Sequence, residues 1–594
     1  MKTILSSYAQ EAPAGGTPIE DLVPATIVGI LAGAILAWVT VAYRRGGVRP
    51  LRALLSFSSR VSGLPDYAAL PALIAAISLI TAAFGFYWDV STHIDNGRDP
   101  GPFANPSHYF ILFGLAGSAV AGWLSVLAGV PRKTRTSIQI GDDWHAPLGG
   151  VLVALCGGIA LLGFPLDDVW HRLFGQDVTL WGPTHVQMVG GASLTTLALL
   201  VLLREGRQHA TKEPPSWIGA ALHAASGGAL LIGLSTLQAE FDFGVPQFRL
   251  LNQPVLIMLA AGLGLVAARI TGGRGGALTS VLFYLIIRGG LTLAIGPGFG
   301  RIIPHFPLYI VEALIVEAVA LRVSPERAVR FGLISGIGIG TLGLGAEWLW
   351  SHIWMPNPWP AALLPEGALF GFVTAVTAGV VGGLVGRALS PSEFPRPAVP
   401  RWIGPAAIAV LVVFVAYPVA MTDGPPIKAQ VALEEVSDAP KREVIPTVTL
   451  EPRDAADDAI WFELIAWQGL EWDRGASLQV PFEQTGPGTY RATDPVPVHG
   501  DWKALVRLHK DDWLRALPIY LPRDSAIPAP EVPAEANFSR DFIVDYEVVQ
   551  REAVGGNGTI TIIAYIVLIA IAVMWLGALA WALARLDRSS AATT

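Results

Sequence analysis

Cysteine is all but absent. Cys156 stands alone in 594 residues, which excludes an internal disulfide, a CxxC redox pair, a CxxCH haem attachment and any site built from several thiolates. Any metal ion must therefore be held by histidine and carboxylate side chains. Six methionines argue against a methionine ladder for copper(I). Charge is scarce as well: with 15% charged residues against 52% hydrophobic ones and a mean hydropathy of +0.50, the composition is that of a polytopic membrane protein. A net charge of −7 and the want of any long basic tract leave no electrostatic footprint for nucleic acid. Also missing are GxxxxGKS/T, a GxGxxG between strand and helix, HExxH, and a GxSxG elbow with a suitable triad. The first residues carry no apolar signal-peptide core, so Val23 to Val41 reads as a retained membrane helix.

What is present instead is a series of apolar runs. About thirteen are long enough for the roughly 20 residues that cross a bilayer, centred near residues 33, 77, 118, 156, 194, 226, 261, 286, 314, 337, 374, 411 and 572. Arginines collect in alternate loops, at Arg44, Arg45, Arg49 and Arg52, then Arg132 and Arg135, Arg204 and Arg207, and finally Arg585 and Arg588. By the positive-inside rule those loops are cytoplasmic, with the N-terminus outside, the C-terminus inside, and the acidic, histidine-bearing loops on the outer face of a cytoplasmic membrane. The reading is a polytopic all-α membrane protein with an inserted extracytoplasmic β-sandwich before the last helix. Its parts are an outer tail (1–22), a multi-helix domain (23–421), the β domain (422–557), and a final helix with a short tail (558–594). The β domain is read from short alternating runs such as "TVTLEP", "SLQVPFEQ" and "ALPIYLP", separated by Gly, Pro and Asp turns.

Two stretches carry the chemistry. "YWDVSTHIDNGRDPGPFANPSH" and "LDDVWHRLFGQDVTLWGPTH" align Asp89 with Asp167, His93 with His171, Asp99 with Asp177, Pro106 with Pro183 and His108 with His185, with one residue inserted in the first. Each joins an outward-running helix to an inward-running one, so residues 67–129 and 147–203 read as a tandem repeat. Asp and His four apart share a helix face one turn apart, and a proline two residues before the second His suits the start of the next helix. Two imidazoles and one carboxylate describe an open transition-metal site for copper, iron or zinc. Asp168 could replace Asp167, and Asp99 and Asp177 would orient a histidine. The competing reading is a pair of hydrogen-bonded clamps in which Arg98 or Arg172 pairs with the aspartates.

Other positions are candidates too. Glu347 and His352, with Met355 and Glu366 nearby, form a looser cluster among tryptophans that suits an interfacial belt. Glu240, Asp242 and Arg249 read as a salt-bridged loop. Arg288, Glu312 and Glu317 lie at membrane depth, where ionisable groups are paired or functional; the expected pairing is Arg288 with Glu312 or Glu317, or a proton path including His305. His223 reads as a core histidine and His509 as exposed and inert.

"DDVWHRLFGQDVTLWGPTH" resembles the metal-binding stretch of the C subunit of the copper membrane monooxygenases, which act on methane and ammonia. The resemblance implies Asp167, His171 and His185 as ligands, copper as cofactor, and other membrane subunits as partners. "GPGTYRATDPVPVHGDWKALVRL" is similar to the small YtkA-like outer-surface domains, implying an outer location and contact with a partner such as an electron donor. The duplication, the larger helix count and the fused domain depart from the monooxygenase pattern. Three functions stay open on the sequence: copper-dependent oxidation of a small substrate, metal-ion handling or transport, and a non-catalytic scaffold surrounded by lipid.

Overall fold

The computed structural model describes residues 19–98, 103, 105–176, 179–210, 212, 216–390, 398–468, 477–525, 527, 529–551 and 557–591. Among them, 11 helices are long and apolar enough to cross a membrane. Five of them open the chain, α1 (Ile19–Arg44), α3 (Ala69–Asn96), α4 (Pro106–Leu127), α5 (Leu148–Phe174) and α6 (Pro183–Gln208), with a short amphipathic helix that is not one of the 11, α2 (Arg49–Ser62), between the first two. Eleven of the expected centres fall inside such helices. The two near 314 and 411 fall in shorter ones, Ile310–Ala320 and Ile403–Ala416. Eleven residues rise only about 16 Å, roughly half of a hydrocarbon core. Helix is withheld upstream because Pro304 and Pro307 lack the N–H an α-helix needs, and the chain from Arg301 to Leu308 has no regular structure.

α3 packs against α4, and α5 against α6, as two helical hairpins, each with one of the duplicated stretches at its turn. Small residues let the helices close up. A Cβ on Gly85 would lie 2.6 Å from the backbone nitrogen of Ile111, and one on Gly191 would lie 2.8 Å from the Ala160 side chain, the close approach that membrane packing favours in place of a hydrophobic drive.

Between the last two long helices the chain forms an all-β domain. Its strands are β1 (Lys428–Ser437), β2 (Glu443–Glu451), β3 (Trp461–Trp467), β4 (Leu478–Gly486), β5 (Thr489–Ala492), β6 (Val496–Pro497), β7 (Lys503–Lys510), β8 (Trp513–Tyr520), β9 (Asn537–Asp541) and β10 (Ile543–Val544). They follow one antiparallel path, β9-β1-β2-β5-β4-β3-β7-β8-β10, with β6 beside β2. The two ends of that path are joined through Phe542 alone, so the sheet wraps nearly closed around Val431, Val448, Leu464, Val506 and Leu517. Alternation drives this: every second residue of β2 from Val444 to Leu450 is buried, the period of a strand with one dry face.

The β domain sits on the same end of the bundle as both duplicated loops. Gln468 donates to the His93 carbonyl (3.1 Å), Arg507 to the Pro246 carbonyl (2.6 Å), and Arg98 pairs with Asp524 (3.1 Å). Trp461 and Leu514 join the apolar cluster of Leu250, Leu251, Tyr309 and Trp359. At the opposite end Arg44 donates to the Asp143 carbonyl, Arg585 to the Arg135 carbonyl, and Arg387 pairs with Asp587, so these arginine-bearing loops lie together.

Candidate metal centres

Each hairpin assembles its triad by the same local rules. The first helix stops at a glycine, Gly97 (φ 79°) or Gly175 (φ 75°), whose N–H bonds the carbonyl of His93 or His171; both glycines have ψ in the extended range, a region essentially reserved for glycine. The chain turns and re-enters a helix at Pro106 or Pro183, where the missing N–H costs nothing. Asn105 caps the first re-entry by accepting from the Ser107 N–H at 3.1 Å. Asp89, His93 and His108 thereby converge, as do Asp167, His171 and His185, and in each set the donor atoms all lie within 4.8 Å of one another.

In the first set Asp89 Oδ1 lies 3.5 Å from His93 Nε2 and 2.9 Å from His108 Nε2. In the second, Asp167 lies 3.7 Å from His171 Nε2 and 3.3 Å from His185 Nε2. Donor atoms about 2.1 Å from a tetrahedral ion sit about 3.4 Å apart, so the spacing fits a bound ion. Tautomers point the same way. His93 Nδ1 faces the Gly97 carbonyl at 3.0 Å and His185 Nδ1 faces the Thr179 carbonyl at 2.6 Å. A carbonyl only accepts, so each Nδ1 carries the proton. In the neutral ring Nε2 then turns a lone pair toward the carboxylate, an arrangement that a cation between them satisfies.

A hydroxyl steadies each carboxylate: Ser107 Oγ donates to Asp89 Oδ1 at 2.7 Å, and Thr184 Oγ1 to Asp167 Oδ1 at 2.6 Å. Asn105 adds a second donor to Asp89 at 2.8 Å. Sequence reading passed over these hydroxyls, although one immediately precedes the second histidine in both copies. Because they orient a ligand without being one, Thr184→Val and Ser107→Ala are each expected to weaken metal binding at their own site by about 10–100-fold. Competition titration with a chelator of known affinity measures that.

Among the described residues no lysine or arginine reaches Asp89 or Asp167. Arg172 pairs instead with Asp168 (2.8 Å) and Arg98 with Asp524. Asp168, which the spacing offered as a substitute for Asp167, accepts from Arg172 Nε. Asp99 and Asp177 lie outside the described residues.

Most of the remaining candidates are placed differently from expectation. Arg288 pairs with Asp242 at 2.7 Å, and not with Glu312 or Glu317, because the loop after Ser235 folds back into the bundle and brings Asp242 to it. Glu317 pairs with Arg269 at 2.7 Å. Glu347 turns inward to accept from the Leu308 and Tyr309 amides (3.0 and 2.7 Å), while His352, five residues on, is exposed and bonds the Trp348 carbonyl; they do not converge. The acid-rich loop is salt-bridged at Asp242 and at Arg249, which holds Glu366 at 2.7 Å. Its Glu240 instead accepts from Thr179 Oγ1 (2.9 Å) and the Leu180 N–H (2.8 Å), holding the turn whose carbonyl orients His185. His509 is 1% exposed: its polar phase on the strand faces the helical bundle, not water.

Both triads open on one cavity of about 650 Å³. The β domain roofs it with Trp467, Gln468, Lys503 and Arg507; toward the arginine-rich end its wall is Leu54, Phe57, Leu199, Leu203 and Leu222, relieved only by hydroxyls such as Ser58 and Ser226. The loop of the second copy reaches the first centre, where the side-chain amide of Gln176 stands 3.3 Å from His93 Nδ1. No family model, no curated protein and no solved structure matches this chain.

Proposed function

We propose that this is a membrane metalloprotein holding transition-metal ions at two Asp/His/His centres on the extracytoplasmic face of a cytoplasmic membrane, and that it oxidises a small, apolar or ammonia-like substrate with dioxygen. The observation that carries the reading is the opening of both triads onto a single apolar cavity. A transporter of metal ions needs a trail of ligating groups from the triads to the arginine-rich end, and the wall there is mainly leucine and phenylalanine with hydroxyls but no carboxylate or imidazole.

The residues fit the task. His93 and His185 are pinned by backbone carbonyls with Nε2 directed at the carboxylate, and Ser107 and Thr184 hold that carboxylate in place. Three protein donors leave a position open to an exogenous molecule. Copper, or alternatively iron, would supply electron transfer to dioxygen there; zinc would suit the same donors without redox chemistry. The apolar wall excludes water and accepts an apolar substrate, and the solvent-facing β domain is where an electron donor would dock.

The test is elemental analysis of purified wild type beside His171→Ala/His185→Ala. About one or more equivalents of copper or iron, reduced in the variant, is the expected result, followed by substrate-dependent oxygen uptake. Zinc in its place would keep the sites and remove the oxidation chemistry. Absence of metal from both proteins after loading with copper, iron and zinc would sink the reading.

A further inference from the structure

Glu312 and Glu347 sit away from both triads, 0% and 3% exposed. The helix Ile310–Ala320 begins abruptly after the irregular segment, with Tyr309 in the left-handed region (φ 56°). That break frees two amides, Leu308 and Tyr309, and both donate to Glu347 Oε1, at 3.0 and 2.7 Å. Burial penalises a charge on either carboxyl, and at Glu347 the two N–H donors offset part of that penalty.

Glu312, in the first turn of that helix, has the opposite surroundings. Both carboxyl oxygens are buried with no hydrogen-bond partner among the described residues. Its side chain is pressed against Gly343, where an added Cβ would lie 2.8 Å from Cγ and 3.1 Å from Oε1, and Glu347 stands one helical turn beyond that glycine. The other titratable groups on the packed elements offer no cation. Arg288 is held by Asp242 and Arg269 by Glu317, while Tyr284 and Tyr309 are neutral phenols. A second carboxylate charge, buried beside the first and unpaired, is the costliest state the pair could adopt. Two further hydroxyls, Ser335 and Thr374, are 0% exposed and unpartnered, on helices that meet where a Gly336 Cβ would lie 2.6 Å from the Ala375 carbonyl. Polar groups thus continue from the pair along the Ala328–Ser351 helix.

We infer that Glu312 and Glu347 form a proton-binding site inside the membrane domain, in which one proton resides on Glu312 while Glu347 stays ionised. The site binds its proton independently of metal at the triads. The ligand is a proton because a carboxylic acid on Glu312 can donate toward Glu347, whereas a carboxylate there has no donor from any other residue among those described.

Infrared spectroscopy of the full chain in lipid tests this, using the carboxylic-acid C=O stretch and its shift in D2O. The expected result is a band present in wild type at pH 7, retained in His171→Ala/His185→Ala, and lost in Glu312→Gln. Glu347→Gln, which changes what the acid donates to, is expected to shift the band; this second variant also serves if Glu312→Gln does not fold. Superimposable wild-type and Glu312→Gln spectra in that region would overturn the site, as would a band unmoved in Glu347→Gln. Loss of the wild-type band on adding sodium or potassium would assign the pair to an alkali cation and overturn the proton.

Discussion

Arg288→Met is expected to destabilise the helical domain by about 3–5 kcal/mol, the cost of stranding one member of a buried ion pair. Arg288 and Asp242 are 1% and 0% exposed, 2.7 Å apart. The guanidinium also donates to the His305 carbonyl at 2.7 Å and lies 4.0 Å from the centre of the Tyr87 ring. Removing it leaves Asp242 without its cation in a dry site and releases the segment 301–309, which is tied to Asp242 again through the His305 N–H at 2.9 Å. The double variant Arg288→Met/Asp242→Leu removes both charges and is expected to regain most of the loss, since a buried pair exchanged for apolar residues is often neutral. Thermal unfolding in detergent compares the three proteins. Equal midpoints for Arg288→Met and wild type would refute the account.

The second large effect concerns pH. His509 bridges the two domains: Nδ1 donates to the Trp513 carbonyl at 3.0 Å, and Nε2 accepts from the Leu250 N–H at 3.1 Å. Only the neutral ring can do both, and burial pushes its pKa down to about 3. A pKa lowered from the unfolded value of about 6.5 means that the unfolded chain binds the extra proton first. The contribution is complete above pH 6.5 and is lost as pH falls toward 3, by about 1.4 kcal/mol per unit. Glu463, on neighbouring strand β3, has the opposite sign. Burial raises it to about 7, so its contribution is complete below about 4.5 and is lost as pH rises through 7. Between about 4.5 and 6.5 the two slopes cancel. His509→Gln is therefore expected to expose the Glu463 slope, becoming more stable relative to wild type with each unit of acidification from 6.5 to 4.5. Denaturant titration followed by the fluorescence of Trp461, whose ring centre is 4.4 Å from that of His509, reads the difference. A stability gap that stays constant over that range would rule out titration of His509.

His509 also shows where sequence reading stops. Its place in "WKALVRLHK" marks a polar strand phase, and polar phases ordinarily face water; here another domain lies on that face. Asp242 was legible as a member of a salt-bridged loop, but its partner lies 46 residues away, and no local spacing links them. Glu312 and Glu317 could be recognised as membrane-depth acids, but Asp242 takes the arginine expected for them and Glu317 meets Arg269 instead.

The sequence by itself determined the membrane class, through apolar runs of bilayer length; the all-β domain, through period-two alternation and turn residues; and both triads, because Asp and His four apart on a helix and a proline-started return helix are local geometry that a duplicated motif states twice. Tertiary structure alone decided that the two triads share one cavity, that a β domain roofs it, and which acids meet which arginines. Those outcomes depend on side chains hundreds of residues apart being brought within a few ångströms by the packing of whole helices, and periodicity within a segment carries no information about the neighbour that the segment will meet.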